Sequence, residues 1–416
     1  MTRAIAGMIA LIAAASGGNV TAIRTTSRAR LQYLAHAIMW HAPPDLSPTE
    51  LLQPPLEFRA DMLAHRNSDE EIRCTFAAAG ADLGGASAKF LCQTADGRGL
   101  RLKYWDPESQ SGNREVFAVV AASRLMWALG FNAIPATAFY VRCDRCPENP
   151  ANGTGHRSSR RYIAMVQAFW PTPSILSGED LDEGWSWREL DTAIRSLPSG
   201  EERIRQRTHF DALTLLGVLI QHGDRKPEQQ RLYCAAPVDT TAGGLRIVSN
   251  DVPMLFERPG TILCQSPAVT ILDAGATFGG AGRASSGRTA TMNLGAWQKR
   301  AVFATGGAQC RGNLIDSFKA GRDGESNPVI SENGRRFLFE QLRRLNRDHV
   351  RAIFTAARVD QLESDGASLE GRPRIDAWVA AFEDKVRQIE AQRCPLTEIG
   401  DTTATRFGGN AARPYR

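Results

Sequence analysis

Hydrophobic and polar positions change rhythm twice along this chain of 416 residues. Between 71 and 105, the runs "IRCTFAAAGAD", "AKFLCQTADG" and "GLRLKYWD" mix aliphatic, aromatic and polar residues and are parted by Gly or Asp-Gly. That pattern predicts three short strands. The next stretch, "NREVFAVVAASRLMWALG", moves to helical spacing, with Val116, Val119, Val120, Leu125, Met126 and Leu129 near one face and Gly130 placed as C-cap. Two further strands are predicted at "AIPATAFYVRC" and "RYIAMVQAFW", flanking a polar loop, "DRCPENPANGTGHRSSR", expected to be mobile.

Past Pro171 the pattern turns mainly helical. "GEERIRQRTHFDALTLLGVLIQ" reads as one long amphipathic helix running into "HGDRKPEQQ". Short strands are expected at "RLYC", "LRIVSN" and "AVTILDAG", then helices over "GRRFLFEQLRRLNRDHVRAIFTAARV" and "RIDAWVAAFEDKVRQIEAQR". Ahead of the strands, "SRARLQYLAHAIMWH" is expected to be helical and "PPDLSPTELLQPP" a Pro-rich connection, while the tail "TTATRFGGNAARPYR" is expected to be disordered.

Composition adds limits. With 43% hydrophobic and 23% charged residues, the chain is an ordinary globular protein. The net charge of +5 comes from scattered arginines, as in "SSRR", with no long basic block. They read as solvated helix faces, not as a nucleic-acid surface. "MTRAIAGMIALIAAASGG" has the layout of a secretory signal peptide, with cleavage suited after Ser16 or Ala22; its apolar run falls short of the ~20 residues of a membrane span. The alternative is a buried or amphipathic N-terminal helix. Export predicts a secreted or periplasmic protein and suits eight cysteines, an even number that reads as candidate disulfides. In "CDRC", Cys143 and Cys146 suggest a local bridge or free thiols, because no second CxxC or HxxxH is present to complete a zinc site.

Phosphoryl transfer needs held phosphates, placed metal ions and an oriented hydroxyl, and the chain offers candidates for each. Lys103 ends the third strand, where it is a candidate for phosphate binding, and Glu115 opens the next helix, where it can pair with Lys103 or simply suit the helix N-terminus. In "GADLGGASAKF", Gly84, Gly85 and Ser87 are candidates to close over phosphates through backbone N–H groups, with Lys89 a second phosphate contact or a surface lysine. In "HGDRKPEQQ", Asp224 precedes Gln229 by five residues: a candidate base followed by a candidate metal ligand, or else a helix end capped by Gly223. Asp273, in "AVTILDAGATFGG", ends an apolar strand before Gly275 and is a candidate ligand for a hard cation.

Together these stretches resemble the atypical branch of the protein-kinase-like superfamily. "GDRKPEQ" is similar to the kinase pattern RDLKPEN, and Asp-Ala-Gly at 273–275 resembles the kinase D-F-G. The nearest likenesses are secretory-pathway kinases related to the Golgi casein kinase, toxin-type bacterial serine/threonine kinases and phosphatidylinositol 3- and 4-kinases. The likeness spans roughly 75–350. It departs from the family at Gln229, where Asn is usual, and in the separation of 49 positions from Asp224 to Asp273, which implies an insertion around "VDTTAGG" and "DVPMLFERPG".

What the resemblance implies is an α+β, two-lobed kinase-like fold, with an antiparallel-sheet small lobe over a mainly helical large lobe. The resemblance implies a small lobe at 71–172 and a large lobe at 173–400, beside the signal peptide at 1–22, the helical and Pro-rich extension at 23–70 and the tail at 401–416 read from their own residues. The implied activity uses ATP with Mg²⁺ or Mn²⁺ and a protein Ser/Thr or sugar acceptor, with no nucleic acid and no membrane span. The alternatives are a pseudokinase or nucleotide-binding scaffold, a small-molecule kinase of the aminoglycoside or choline phosphotransferase type, and a lipid kinase.

Overall fold

The computed structural model describes residues 23–25, 27–54, 71–78, 88–97, 99–167, 175–177, 184–235, 237–239, 262–279, 291–305, 309–314, 327–362 and 375–395. The leader, the tail, "LRIVSN" and most of the expected insertion lie outside these residues.

A mixed α+β architecture results. The first strand, β1 (Ile23–Thr25), leads into helix α1 (Ser27–Ala35) and the short α2 (Pro48–Leu52). The three expected strands form as β2 (Glu71–Ala77), β3 (Lys89–Thr94) and β4 (Gly99–Asp106), followed by the short β5 (Ser111–Gly112) and helix α3 (Glu115–Leu129). Gly130 ends α3 in the left-handed conformation, φ 82°, and donates its N–H back to the last turn, as its position suggested.

Strands β6 (Ala136–Asn149) and β7 (Thr154–Gln167) are longer than their apolar runs. They extend through most of the expected polar loop, leaving only a turn at 150–153. Polar residues dominate this outer part of the hairpin, where β7 is mostly exposed and β6 buries only Cys143, Cys146 and Pro147, so no regular apolar alternation marks it. A local disulfide, Cys143–Cys146, spans the irregularity in β6.

The sheet order is β3-β2-β6-β7-β4-β5, and β3 also pairs with β4, so the five long strands close on themselves. All neighbours are antiparallel except β2 and β6, which run parallel. The expectation of a purely antiparallel sheet is corrected at that pair. The chain reaches β6 by crossing over through α3, and such a crossover returns the strand in the same direction. Inside the ring sits a small core of Ile72, Phe90, Leu102, Tyr104, Phe139, Val141 and Tyr162, with the Cys74–Cys92 disulfide joining β2 to β3.

The rest of the chain is mainly helical. After β8 (Ile175–Ser177) come α4 (Trp187–Ser196) and α5 (Glu201–Leu219), then β9 (Gln230–Cys234), β10 (Pro237–Asp239), β11 (Ile262–Cys264) and β12 (Pro267–Ile271). Strands β9 and β12 form an antiparallel pair, joined near its end by the Cys234–Cys264 disulfide. Helices α6 (Leu294–Lys299), α7 (Glu332–Leu342), α8 (Arg347–Ala356) and α9 (Ile375–Ala391) follow. The expected single helix over 334–359 is two, because Asn346 caps α8 by accepting from the N–H groups of Asp348 and His349.

The main core joins α3 to these helices, and it includes an aromatic knot of Phe278, Trp297, Phe354 and Trp378. The N-terminal helix belongs to it as well: buried Arg30 pairs with Glu189 of α4 at 2.7 Å and donates to the carbonyl of Gly184. Cys310–Cys394 closes the longest loop, 84 residues apart, and all eight cysteines are paired. Such a closure is worth about 4 kcal/mol in the chain-entropy account. Complete pairing fits an oxidising compartment. Among the described residues no helix is long and apolar enough to cross a membrane.

Candidate active site

Three elements distant in sequence bring their charges to one point. Lys103 in β4 donates from Nζ to Glu115 Oε2 and to Asp273 Oδ2, each at 2.9 Å. Its side chain is only 10% exposed. The Glu115 carboxylate is aimed by Asn113, which donates from Nδ2 to Oε2 at 3.3 Å and accepts the Glu115 N–H at 3.0 Å. Asn113 is buried and tied to β4 by its own N–H, donated to the carbonyl of Tyr104. Asp273 follows β12, and its other oxygen, Oδ1, accepts the N–H of Gly275 at 2.8 Å.

Charge decides the protonation states here. Burial works against both Lys103 and Asp273 as ions, yet their mutual attraction prevails. Lys103 is held above the usual lysine range, with Glu115 adding to the pull of Asp273. Asp273 is held below the usual carboxylate range, chiefly by Lys103 and the Gly275 N–H. Space is equally tight: a Cβ on Gly275 would come within 2.9 Å of Asp273 Oδ1 and 3.0 Å of the Glu115 side chain. Only glycine fits that approach.

Asp224 lies on the segment after α5. That helix ends with Gln221, not Gly223, in the left-handed conformation, φ 56°. The N–H of His222 bonds the carbonyl of Gly217, and the N–H of Gln221 bonds that of Val218. This is a Schellman cap with glutamine where glycine is usual. The side chain of Gln221 secures it by donating to the carbonyls of Val218 and Asn313, both at 2.8 Å. Gly223 instead donates its N–H to the carbonyl of Ala276, tying the Asp224 segment to the Asp273 segment. Gln229 provides a second tie, accepting on its backbone oxygen from the N–H groups of Leu272 and Asp273.

The Asp224 carboxylate itself is loosely held. Lys226 Nζ stands 3.2 Å from Oδ2, and Gln229 Nε2 donates to the same oxygen at 3.4 Å. Burial raises its pKa against the pull of Lys226, and the charges of Asp273 and Glu115 add to the rise. These two carboxylates therefore lie within electrostatic reach of Asp224. Arg225, the residue between, stacks on Trp187 of α4. Gly184 lies so close to the carbonyls of Pro227 and Gln230 that a Cβ there would collide with both.

Lys103, Glu115 and Asp273 are thus in direct contact, while Asp224 and Gln229 touch each other across hydrogen-bonding distance. Lys89 is the cross-strand partner of Lys103, and its pKa is lowered by burial first and then by Lys103 and Arg101. Gly84, Gly85 and Ser87 lie outside the described residues. Sequence reasoning assigned no role to Asn113, Lys226, Gly184 or Gly275. An Asn just ahead of a helix, a Lys two residues past a candidate base and the Asp-Ala-Gly spacing at 273–275 were the available signals; Gly184 carried none.

No protein-family model matches the chain, and no curated protein matches its sequence. The solved structures to which the chain is similar include two kinases. One is the proinflammatory kinase CtkA of Helicobacter pylori, at 11% identity over 77% of this chain and 94% of that one, with a TM-score of 0.37. The other is the Golgi casein kinase, at 12% identity over 77% of this chain and 74% of its own, with a TM-score of 0.30.

Proposed function

We propose that this chain is an exported phosphotransferase that moves the γ-phosphate of ATP to a hydroxyl of a protein or sugar. The observation that carries the reading is the double ion pair of Lys103 with Glu115 and Asp273. A buried lysine held by two carboxylates from separate elements is costly unless the geometry is needed. A phosphate-positioning lysine with an orienting glutamate and a metal-binding aspartate needs it. On this reading 71–172 is the small lobe and 173–400 the large lobe of a kinase-like unit, with the nucleotide between them.

The residues fit Mg²⁺ or Mn²⁺ with ATP. Among the described residues no group of three His, Cys, Asp or Glu could hold a metal. However, Mg²⁺ in such sites takes one or two protein oxygens and completes its shell with phosphates and water. Asp273, kept ionised, and the amide oxygen of Gln229 are the donors in question. When bound, metal and ATP supply the transferable phosphoryl group and a positive charge beside it. Lys103 then meets phosphate oxygens while Glu115, braced by Asn113, keeps its amine aimed. Lys89, one strand away, adds a second cation, and Gly84, Gly85 and Ser87 extend the phosphate contacts. Asp224 accepts the proton of the incoming hydroxyl; its raised pKa makes it a better acceptor than an ordinary aspartate. Lys226 and Gln229 hold that carboxylate in place.

A second reading is a nucleotide-binding protein without transfer. It is favoured by the Gln229 side chain, whose nitrogen faces Asp224. Thermal unfolding with ATP, with and without Mn²⁺, followed by labelled ATP with protein, sugar and lipid acceptors, tests both. A metal-dependent rise in Tm with label transfer supports the kinase, and a rise without transfer supports the second reading. No rise with any nucleotide removes both.

A further inference from the structure

The arginines that the phosphotransferase reading leaves unused are not scattered in space. In the sheet, Arg73 of β2 is the cross-strand partner of Arg142 of β6, and Arg142 is the partner of Arg161 of β7. Cross-strand partners point to one face, so three guanidiniums form a row across three adjacent strands, ~5 Å apart per strand. Like charges placed directly opposite destabilise a sheet. Glu71, on the same face two residues from Arg73, relieves part of this. Its buried carboxylate meets the Nε of Arg142 at 3.0 Å and pairs with the Nε of Arg161. A fourth cation joins from the helical region, because Arg161 and Arg358 both stack on the ring of Tyr140, at 3.8 and 4.4 Å. Arg358 holds a left-handed backbone, φ 56°, just after α8. Among the described residues Arg73 and Arg358 have no acidic partner. Among the described residues of β2, β6 and β7 beside this row, the other acid is Asp144, partner of Thr75, which accepts from Ser159 at 2.8 Å. Four arginines therefore face two carboxylates.

From this face we infer a docking site for a phosphorylated serine or threonine carried on a polypeptide. At this row and at 358 the basic residues are all arginine, not lysine, and the planar fork of arginine matches phosphate oxygens two at a time. One carboxylate satisfies one charge of the row, whereas a phosphomonoester brings nearly two charges and three acceptor oxygens. The face is open: Arg73 is exposed, and the side chains of Arg142 and Arg161 are 39% and 41% exposed. A free small molecule is held in a concave site. A phosphate presented on an extended chain can be gripped on an open sheet face by an arginine cluster. The inference does not depend on the transfer reaction.

Fluorescence anisotropy with a labelled peptide bearing one phosphoserine, beside its serine counterpart, tests it without nucleotide. The phosphopeptide should bind at least tenfold more tightly, weaken as salt rises, and raise the Tm of the protein. Arg73→Glu with Arg358→Glu should erase the preference, and the milder Arg358→Gln, which removes no ion pair, should reduce it severalfold with unchanged Tm. Equal binding of both peptides would overturn the inference, as would a preference that survives in both variants. Displacement by inorganic phosphate at the same concentration as the phosphopeptide would also overturn it, by showing a site for the free anion. Tighter binding of heparin than of the phosphopeptide would reduce the face to a general polyanion surface. A change in transfer to an unphosphorylated acceptor is not expected in either variant.

Discussion

Two charged clusters lie within electrostatic reach of each other and are held in opposite ways. Lys103, Glu115 and Asp273 come from a strand, a helix and a strand end as much as 170 residues apart, and meet at 2.9 Å. Asp224, Lys226 and Gln229 are neighbours in sequence, touch at 3.2–3.4 Å, and leave the Asp224 side chain 31% exposed. Folding assembles the first cluster, and its charges are matched before any ligand arrives. Backbone bonds position the second, from Gly223 to Ala276 and from Leu272 and Asp273 to Gln229, and leave its side chains loose. Changes in the first should disturb stability and binding together. Changes at Asp224 in the second should touch chemistry alone.

The sharpest separation comes from Asp224→Asn. Transfer should fall about 10³-fold, within the range of a positioned acid or base. Tm should hold or rise, because the native site disfavours the charge that is removed. Radiometric transfer beside a melting curve reads both, and transfer near the wild-type rate would remove Asp224 as the base. Asp273→Asn should do the converse. It should abolish the metal-dependent part of nucleotide stabilisation and cost about 2 kcal/mol in urea unfolding. That is less than the ~3–5 kcal/mol of an orphaned buried charge, since Glu115 still accepts from Lys103. A variant as stable as wild type would show that the ion pair does not bind the elements together.

The unequal legibility of the two clusters follows from the same contrast. Asp224 and Gln229 were readable because their spacing is local, and the strand and helix rhythms around Lys103 and Glu115 were equally plain. That Lys103 touches Asp273 was not, because pairings between distant stretches bring Asp273 there: β9 with β12, Gln229 with Leu272 and Asp273, and Ala133 with Ile271. Asn113 looked like part of a helix start until its amide was seen to brace Glu115. The parallel β2–β6 pair and the closure of β3 on β4 are properties of pairing, and each strand alone carries no mark of its neighbour. The outer halves of β6 and β7 carry no strand signal because they are mostly polar and only Cys143, Cys146 and Pro147 of β6 turn inward. Gly223 was the alternative cap for the helix, yet Gln221 turns the chain because its amide finds two carbonyls that offset the strained backbone.

A smaller change probes the packing of the first cluster without removing a charge. Gly275→Ala inserts a methyl group against Asp273 Oδ1 and the Glu115 side chain. Overpacking of this kind should cost about 1–2 kcal/mol. Nucleotide affinity should fall severalfold as Glu115 and Asp273 are pushed apart. The matching change beside the loose cluster, Lys226→Ala, should leave unfolding in urea within about 0.5 kcal/mol of wild type, as for other partly exposed sites. Equal stability costs at 275 and 226 would erase the distinction between the clusters.

Between the two clusters stands His222, buried, with both ring nitrogens lacking a hydrogen-bond partner among the described residues. Burial first, and the charge of Arg225 second, lower its pKa from 6.5 to about 4, although Asp273 pulls the other way. An unfolded chain takes up this proton near pH 6.5, whereas the folded chain resists until about pH 4. Stability is therefore whole above pH 6.5 and drains away as the pH falls, by about 1 kcal/mol between pH 7.5 and 5.5. His209, also lowered to about 4 by burial, acts in the same direction, so the slope and not the absolute stability isolates His222. Urea unfolding at the two pH values should show a shallower pH dependence in His222→Asn, even if that variant is less stable throughout. Identical slopes would mean that His222 is not held neutral, and that the ground between the two clusters is wetter than its burial implies.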